Sequence, residues 1–209
     1  MTKTKELRVK EGKTELTVDH KGKELTFLHP TFGPNTYFKV RDSIQNAGLS
    51  LPTMAETAYL ANTAFNSEDK YSQEIKQILK DRWLWAFDKN LYVQKGIYIY
   101  PEAISSGKDL EESELVKKLE DGDKSIRFVS YDFKTGEMNA IALAKNAYIR
   151  ALASDEGAEK LAEVADKFRN KPYLWTLTSV YEPITRVTSL YSGWYVGRRI
   201  DVDSYYNGD

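Results

Sequence analysis

Residues 81–100, DRWLWAFDKNLYVQKGIYIY, form the densest aromatic and β-branched run of the chain. The run lies where a helical first half meets a strand-rich second half. Its first part continues a helix predicted from Tyr71 to about Phe87, and Asp88-Lys-Asn90 predicts a break after that helix. Its second part predicts a hairpin that turns at Gln94-Lys-Gly96 and ends at Pro101.

The composition indicates a folded chain. Its 209 residues include 14 Tyr, 8 Phe and 4 Trp, which supply large rings for a core and are not typical of a disordered protein. The 30 basic and 31 acidic side chains give a net charge of −1, and the basic N-terminal tip is interleaved with Glu6, Glu11 and Glu15. We therefore expect no binding to nucleic acid, which depends on clustered cations that neutralise phosphates.

The chain has no cysteine, which excludes disulfides, thiolate zinc sites, iron–sulfur clusters and thiol nucleophiles. No apolar stretch reaches the roughly 20 residues of a membrane span, and the first residues lack an apolar signal segment. The sequence thus predicts a soluble, cytoplasmic protein without membrane contact. Nucleotide-binding glycine loops, Gly-x-Ser-x-Gly and His-Glu-x-x-His are also missing, so neither a cofactor nor a metal is expected.

The order of elements predicts a single α+β domain over residues 1–209. An antiparallel β-meander at about residues 5–29 comes first, because apolar and charged residues alternate there around glycine turns. Helices occupy the centre, and residues 138–152 fit either a helix or an extended hairpin. From Pro172 onward, runs of Thr, Val, Tyr and Trp predict antiparallel strands, an arrangement typical of α+β proteins.

Several residues mark helix boundaries. Asn35 is suited to an N-cap, and Gly48 is suited to the position just after a helix C-terminus. Thr53 with Glu56 three residues later is a capping box. Ser154 predicts the start of a further helix.

Cations and rings are concentrated in the C-terminal strand region. The candidate binding residues there are Trp194, Tyr195, Arg198, Arg199 and Tyr205. Guanidinium groups and aromatic faces can receive a carboxylate, a sugar or the surface of a protein. The structural alternative is an edge strand that its charges protect from aggregation.

A second candidate site lies in the central run, where Asp81, Arg82 and Asp88 flank large rings. These residues could line a polar pocket, or they could simply fix the end of a helix. Asp201 and Asp203 share one face of a predicted strand, but the residues that follow do not match a calcium loop. A charged sheet edge explains that pair better than a metal site does.

One segment resembles a known family. Leu51-Pro-Thr-Met-Ala-Glu56 joins a helix ended by Gly48 to an alanine-rich helix, and it resembles the Leu-Pro-Thr-x-x-Glu segment of formylglycine-generating-enzyme-like proteins. The resemblance covers about residues 37–65 and implies a C-type-lectin-like fold that binds through variable loops. The oxidising activity of that family relies on cysteines and is not carried over to this chain. The usual lectin calcium ligands, a Glu-Pro-Asn and a Trp-Asn-Asp motif, are missing. Glu182-Pro-Ile184 matches only part of the first motif.

These observations predict a non-enzymatic binding or protein-interaction domain, with a protein or a small polar molecule as its partner. One alternative is an enzyme with a carboxylate- and arginine-lined pocket near residues 81–88. Another is a structural subunit of a homo-oligomeric assembly whose meander pairs with a second chain. A pocket with converging carboxylates would favour the enzyme, whereas a flat exposed aromatic patch would favour binding or assembly.

Overall fold

The structure is a computed structural model that describes residues 7–10, 13–20, 22–105, 107–193 and 199–208. The strands of this part of the chain are β1 (Leu7–Lys10), β2 (Lys13–His20), β3 (Lys23–His29), β4 (Leu84–Val93), β5 (Gly96–Pro101), β6 (Arg127–Ser130), β7 (Gly136–Glu137), β8 (Tyr173–Trp175), β9 (Ile184–Tyr191) and β10 (Asp201–Asp203). The helices are α1 (Tyr37–Asn46), α2 (Met54–Phe65), α3 (Lys70–Asp81), α4 (Glu112–Glu120), α5 (Ala140–Lys145) and α6 (Ala147–Ala165), with a 3-10 turn at Glu102–Ile104.

The N-terminal strands form the predicted meander, a three-stranded antiparallel sheet in the order β1-β2-β3. Leu16 pairs with Phe27, and Val18 pairs with Leu25. Leu16 and Val18 are buried in the main hydrophobic cluster, where β2 contacts α2. The first of the glycine turns that the sequence predicts in this meander, at Glu11-Gly12, lies outside the described residues.

The other strands form one sheet in the order β6-β5-β4-β9-β10-β8-β7. Its pairs are antiparallel except for β8 with β10, which run parallel, so the sheet is mixed. The α+β class is confirmed. The parallel pair of β8 and β10 is an exception to the antiparallel strands predicted for the C-terminal part. Alternate residues of β4 face opposite sides of the sheet: Tyr92 packs into the cluster with α2 and α6, and Leu91 packs into the cluster with α4.

The predicted helix from Tyr71 to about Phe87 is wrong in its last turns. Helix α3 ends at Asp81, and β4 begins at Leu84. The predicted break at Asp88-Lys-Asn90 is also wrong, because these three residues continue β4 and are almost completely buried. Polar residues in a sequence usually indicate a loop, but here each of the three has partners inside the protein that keep it in the sheet.

A β-bulge connects β4 to the start of α2. The register of β4 on β9 shifts between Ala86 and Lys89, and this leaves Phe87 and Asp88 out of regular pairing. The Phe87 amide donates to the Pro52 carbonyl at 2.7 Å, and the Asp88 carboxylate accepts from the Met54 amide at 2.5 Å. The bulge therefore supplies hydrogen-bond partners to the connection that precedes α2.

Most predicted helix boundaries are confirmed. Glu56 and Thr53 form the capping box, and Gly48 has the positive φ of +70° expected after a helix. Ser154, with φ 66°, interrupts α6, and its hydroxyl accepts from the Gly157 amide as a cap does. Asn35 is not the N-cap of α1: that position belongs to Thr36, whose amide donates to the Asn35 side chain.

Strands β5 and β6 pack closely at Gly96, the first residue of β5. A Cβ atom at this position would lie 2.2 Å from the Val129 carbonyl oxygen and 2.7 Å from the Phe128 ring. We expect Gly96→Ala to lower the free energy of unfolding by about 2 kcal/mol, because the two strands would have to separate. Urea denaturation measures this change, and an unchanged midpoint would contradict the close approach.

Candidate functional site

A cleft of about 580 Å³ opens between the N-terminal sheet and the rest of the protein. Strand β3, α1, α3 and the start of β4 line it, together with the connectors at residues 30–35 and 48–52. Its lining is mainly aliphatic and aromatic. The side chains that give it this character include Leu25, Phe27, Phe32, Val40, Ile44, Leu49, Leu60, Ile75, Ile78, Trp83, Leu84, Trp85 and Phe87.

Two tryptophans form an aromatic wall of this cleft. The rings of Trp83 and Trp85 lie 5.6 Å apart, and both residues are half-buried. Trp83 contacts Tyr206 with ring centroids 4.3 Å apart, and Trp85 meets Tyr37 edge-on at 5.7 Å. The Trp85 indole N–H also donates to the Asn35 carbonyl at 3.3 Å. Because neighbouring groups hold both rings, the wall exists before any ligand arrives.

Ionisable side chains are few in the cleft. His29 pairs through Nε2 with the Glu74 carboxylate and lies edge-on to Tyr71. Glu56 accepts hydrogen bonds from the amide and hydroxyl of Thr53 at 2.7 and 2.9 Å. Arg82 is the remaining charged residue of the lining, and it is exposed. The cleft is thus an apolar space with one exposed cation at its boundary.

A buried ionic network lies behind the aromatic wall. Glu102 accepts from the Tyr37 hydroxyl and from Arg41 Nη1, both at 3.1 Å, and lies 3.2 Å from Lys89 Nζ. Lys89 also pairs with Asp109 at 2.7 Å. Burial, and next the charge of Glu102, raise the pKa of the Tyr37 hydroxyl far above its ordinary value. The network connects β4, α1 and the 3-10 turn, and through Tyr37 it supports the rings of the cleft.

Asp88 is buried in the core and does not line the cleft. Burial raises the pKa of its carboxyl to about 7, while the hydrogen bond from the Met54 amide and the charge of Arg127 act in the opposite direction. Arg127 Nη2 is 3.9 Å from Asp88 Oδ1, and that oxygen has no hydrogen-bond partner among the described residues. Burial therefore costs the ionised carboxylate more free energy than its hydrogen bond and the nearby guanidinium give back.

The structure separates the residues of the predicted central site. Asp81 is exposed and accepts from the side-chain amide of Gln77 at 2.7 Å, whereas Arg82 lines the cleft. Asp88 is buried within the bulge and does not line the cleft. The expected pocket lined by all three residues is therefore not formed, because the helix ends at Asp81 and β4 carries Asp88 into the core.

The predicted C-terminal site is described only in part. Trp194, Tyr195 and Arg198 lie outside the described residues. The Arg199 guanidinium stacks over the Tyr173 ring at 4.4 Å, and its Nε donates to Asp201 at 2.7 Å. Tyr205 is exposed, and its backbone amide donates to Asp203. Burial is the main cause of the raised pKa values of both Asp201 and Asp203.

The described part of the chain contains no group of three His, Asp or Glu side chains that could hold a metal ion. None of its helices is both long enough and apolar enough to cross a bilayer. Comparisons with family models, with curated proteins and with solved structures gave no match. The resemblance to the C-type-lectin-like fold accordingly stays a prediction.

Neither the cleft nor the ionic network is predicted from the sequence. Lys89 and Glu102 have side-chain exposures of 2% and 0%, although charged residues are usually exposed. The one sequence signal for the network is the position of Lys89 within an otherwise apolar run, a pattern that also predicts a break after the helix. The cleft carries no local signal, since its wall joins β3 to residues about fifty positions later in the chain.

Proposed function

We propose that this protein is a non-enzymatic binding module that takes a largely apolar small molecule into the cleft between its two sheets. The observation that supports this function is the size and the apolar lining of the cleft. Its volume of about 580 Å³ lies within the range of about 300–1,000 Å³ that is typical of small-molecule sites. Such sites are lined mainly by apolar and aromatic side chains with a few polar groups, as this cleft is.

The fixed geometry of the wall supports the same function. Trp83 and Trp85 are held by Tyr206, Tyr37 and the Asn35 carbonyl, so a ligand would not have to order them. A preformed site loses less conformational entropy on binding than a flexible one does. Rigid rings facing an apolar space are suited to stacking on a flat or extended hydrophobic molecule.

An enzyme and a module for a polar ligand, both considered from the sequence, have less support. An enzyme near residues 81–88 would need its carboxylates in a pocket, but Asp88 is buried away from the cleft and Asp81 is bonded to Gln77. A polar ligand would find few hydrogen-bonding groups in the cleft. A protein partner at Arg199 and Tyr205 stays a prediction, and so does a homo-oligomeric assembly through the N-terminal meander. We propose the apolar ligand ahead of both.

Binding of N-phenyl-1-naphthylamine, a neutral fluorescent apolar compound, tests the proposed function. We expect saturable binding of one molecule per chain. Ser50 is exposed and lines the cleft. Replacing it with Phe places a ring in the cleft, so Ser50→Phe should weaken binding at least about tenfold, equivalent to about 1.4 kcal/mol. Fluorescence titration of both proteins measures the effect.

Ser43→Phe is the matched control, because Ser43 is exposed on α1 and does not line the cleft. We expect this variant to bind the compound as the unmodified protein does. The absence of saturable binding to the unmodified protein would refute the proposed function. Equal weakening by both substitutions would place the compound elsewhere on the surface and would refute it as well.

A further inference from the structure

We infer that Arg82 anchors an acidic group of the ligand, so that the molecule bound in the cleft is an amphiphile with an apolar body and one anionic end. The inference rests on the proposed function, since it names the chemical class of the ligand for the same cleft. The acidic group would be a carboxylate or a comparable oxyanion. Guanidinium groups bind these oxyanions through two parallel hydrogen bonds.

The backbone of Arg82 is fixed, whereas its side chain is available. Arg82 is the C-cap of α3, and its amide donates to the Ile78 carbonyl at 2.9 Å. The residue lines the cleft directly before the aromatic wall formed by Trp83 and Trp85. Among the described residues, no carboxylate lies within ion-pair distance of its guanidinium, and its one recorded hydrogen bond is that of the amide.

The neighbouring charges are already engaged. Asp81, the adjacent residue in the chain, accepts from Gln77 and is not part of the lining. His29 is paired with Glu74. Arg82 is consequently the one strongly basic side chain in the described lining that still has hydrogen bonds to offer an incoming molecule.

Glu56 sets the orientation of such a ligand. Glu56 lines the cleft, and its carboxylate is held at the start of α2 by the amide and hydroxyl of Thr53. Repulsion between like charges disfavours an anion beside Glu56, whereas attraction favours it beside Arg82. The acidic group therefore lies at the Arg82 end, with the apolar body along the rings of Trp83 and Trp85.

The contribution of Arg82 is limited by its exposure. Ion pairs in contact with water are weakened by solvent and salt, so the gain in affinity is smaller than for a buried pair. We expect Arg82→Gln to weaken binding of decanoate roughly three- to tenfold. Decan-1-ol has the same chain without the charge, and its affinity should stay unchanged in this variant.

Displacement of N-phenyl-1-naphthylamine by decanoate and by decan-1-ol measures both affinities in the unmodified protein, in Arg82→Gln and in Arg82→Lys. The lysine variant keeps the charge and should recover part of the decanoate affinity. Arg169→Gln is the matched control, because Arg169 is exposed outside the cleft and its loss changes the net charge equally. We expect this control to bind both compounds as the unmodified protein does.

The outcomes separate the two proposals. If the fluorescent compound binds but Arg82→Gln changes the affinities for decanoate and decan-1-ol by the same factor, the anchor is refuted and the binding module stands. Equal losses of decanoate affinity in Arg82→Gln and Arg169→Gln would also refute the anchor, because they would reflect net charge alone. If the fluorescent compound does not bind, both proposals fail.

Discussion

Glu102→Ala is expected to lower the free energy of unfolding by about 3–5 kcal/mol, the usual cost of removing one member of a buried ion pair. The Glu102 carboxylate is completely buried and joins Lys89, Arg41 and Tyr37. Its loss leaves Lys89 buried with the largely exposed Asp109 as its remaining recorded carboxylate. The Tyr37 hydroxyl also loses its acceptor, and an unsatisfied buried donor adds to the cost.

Urea denaturation of the two proteins measures this change, and Asp109→Ala is the appropriate comparison. Asp109 pairs with the same lysine, but its side chain is 57% exposed, so its removal should cost about 1 kcal/mol or less. Glu102→Gln, which keeps the shape and removes the charge, should fall between the two. A loss of stability in Glu102→Ala no greater than that of Asp109→Ala would show that the network does not hold β4 against α1.

Asp88 is expected to make the protein less stable as the pH rises. The folded-state pKa of its carboxyl is about 7, above the value of about 3.9 for an unfolded aspartate. Between these values the folded state binds more protons than the unfolded state, so the free energy of unfolding falls with increasing pH. Between about pH 5 and about pH 8.5, this one group accounts for a decrease of about 3 kcal/mol.

Asp88→Asn should remove this contribution, because the amide does not ionise and can still accept from the Met54 amide. The measurement is the free energy of unfolding of both proteins at the two ends of that pH range. The difference between their pH dependences isolates Asp88 from Asp201 and Asp203, whose pKa values are also raised. Parallel pH curves for the two proteins would show that Asp88 ionises normally.

Local signals in the sequence predicted the elements that depend on local chemistry. The capping box of Thr53 and Glu56 and the turn glycine Gly48 need only neighbouring residues, and both are found where predicted. The meander and the hairpin of β4 and β5 follow from alternation and turn residues in the same way. Local chemistry therefore accounts for these parts of the fold.

Long-range contacts decide the parts that could not be predicted. The residues from Leu84 to Asn90 have mixed signals, and their strand conformation depends on pairing with β9, about a hundred residues later. The polar side chains of that strand are tolerated in the core only because distant groups satisfy their hydrogen bonds. Tyr148, for example, donates to Asn90. The candidate site depends on long-range contacts in the same way: the sequence marks Arg82 as a candidate residue, but it does not predict the cleft that Arg82 lines.

Because β3 forms one wall of the cleft, a ligand bound in the cleft would also stabilise the folded protein. The N-terminal sheet buries Leu16 and Val18 against α2, while Leu25 and Phe27 of β3 are only partly covered. A molecule in the cleft would shield those two side chains from water and so act as a further piece of hydrophobic core. By mass action, any such guest would raise the free energy needed to detach the sheet by an amount that grows with the logarithm of its concentration.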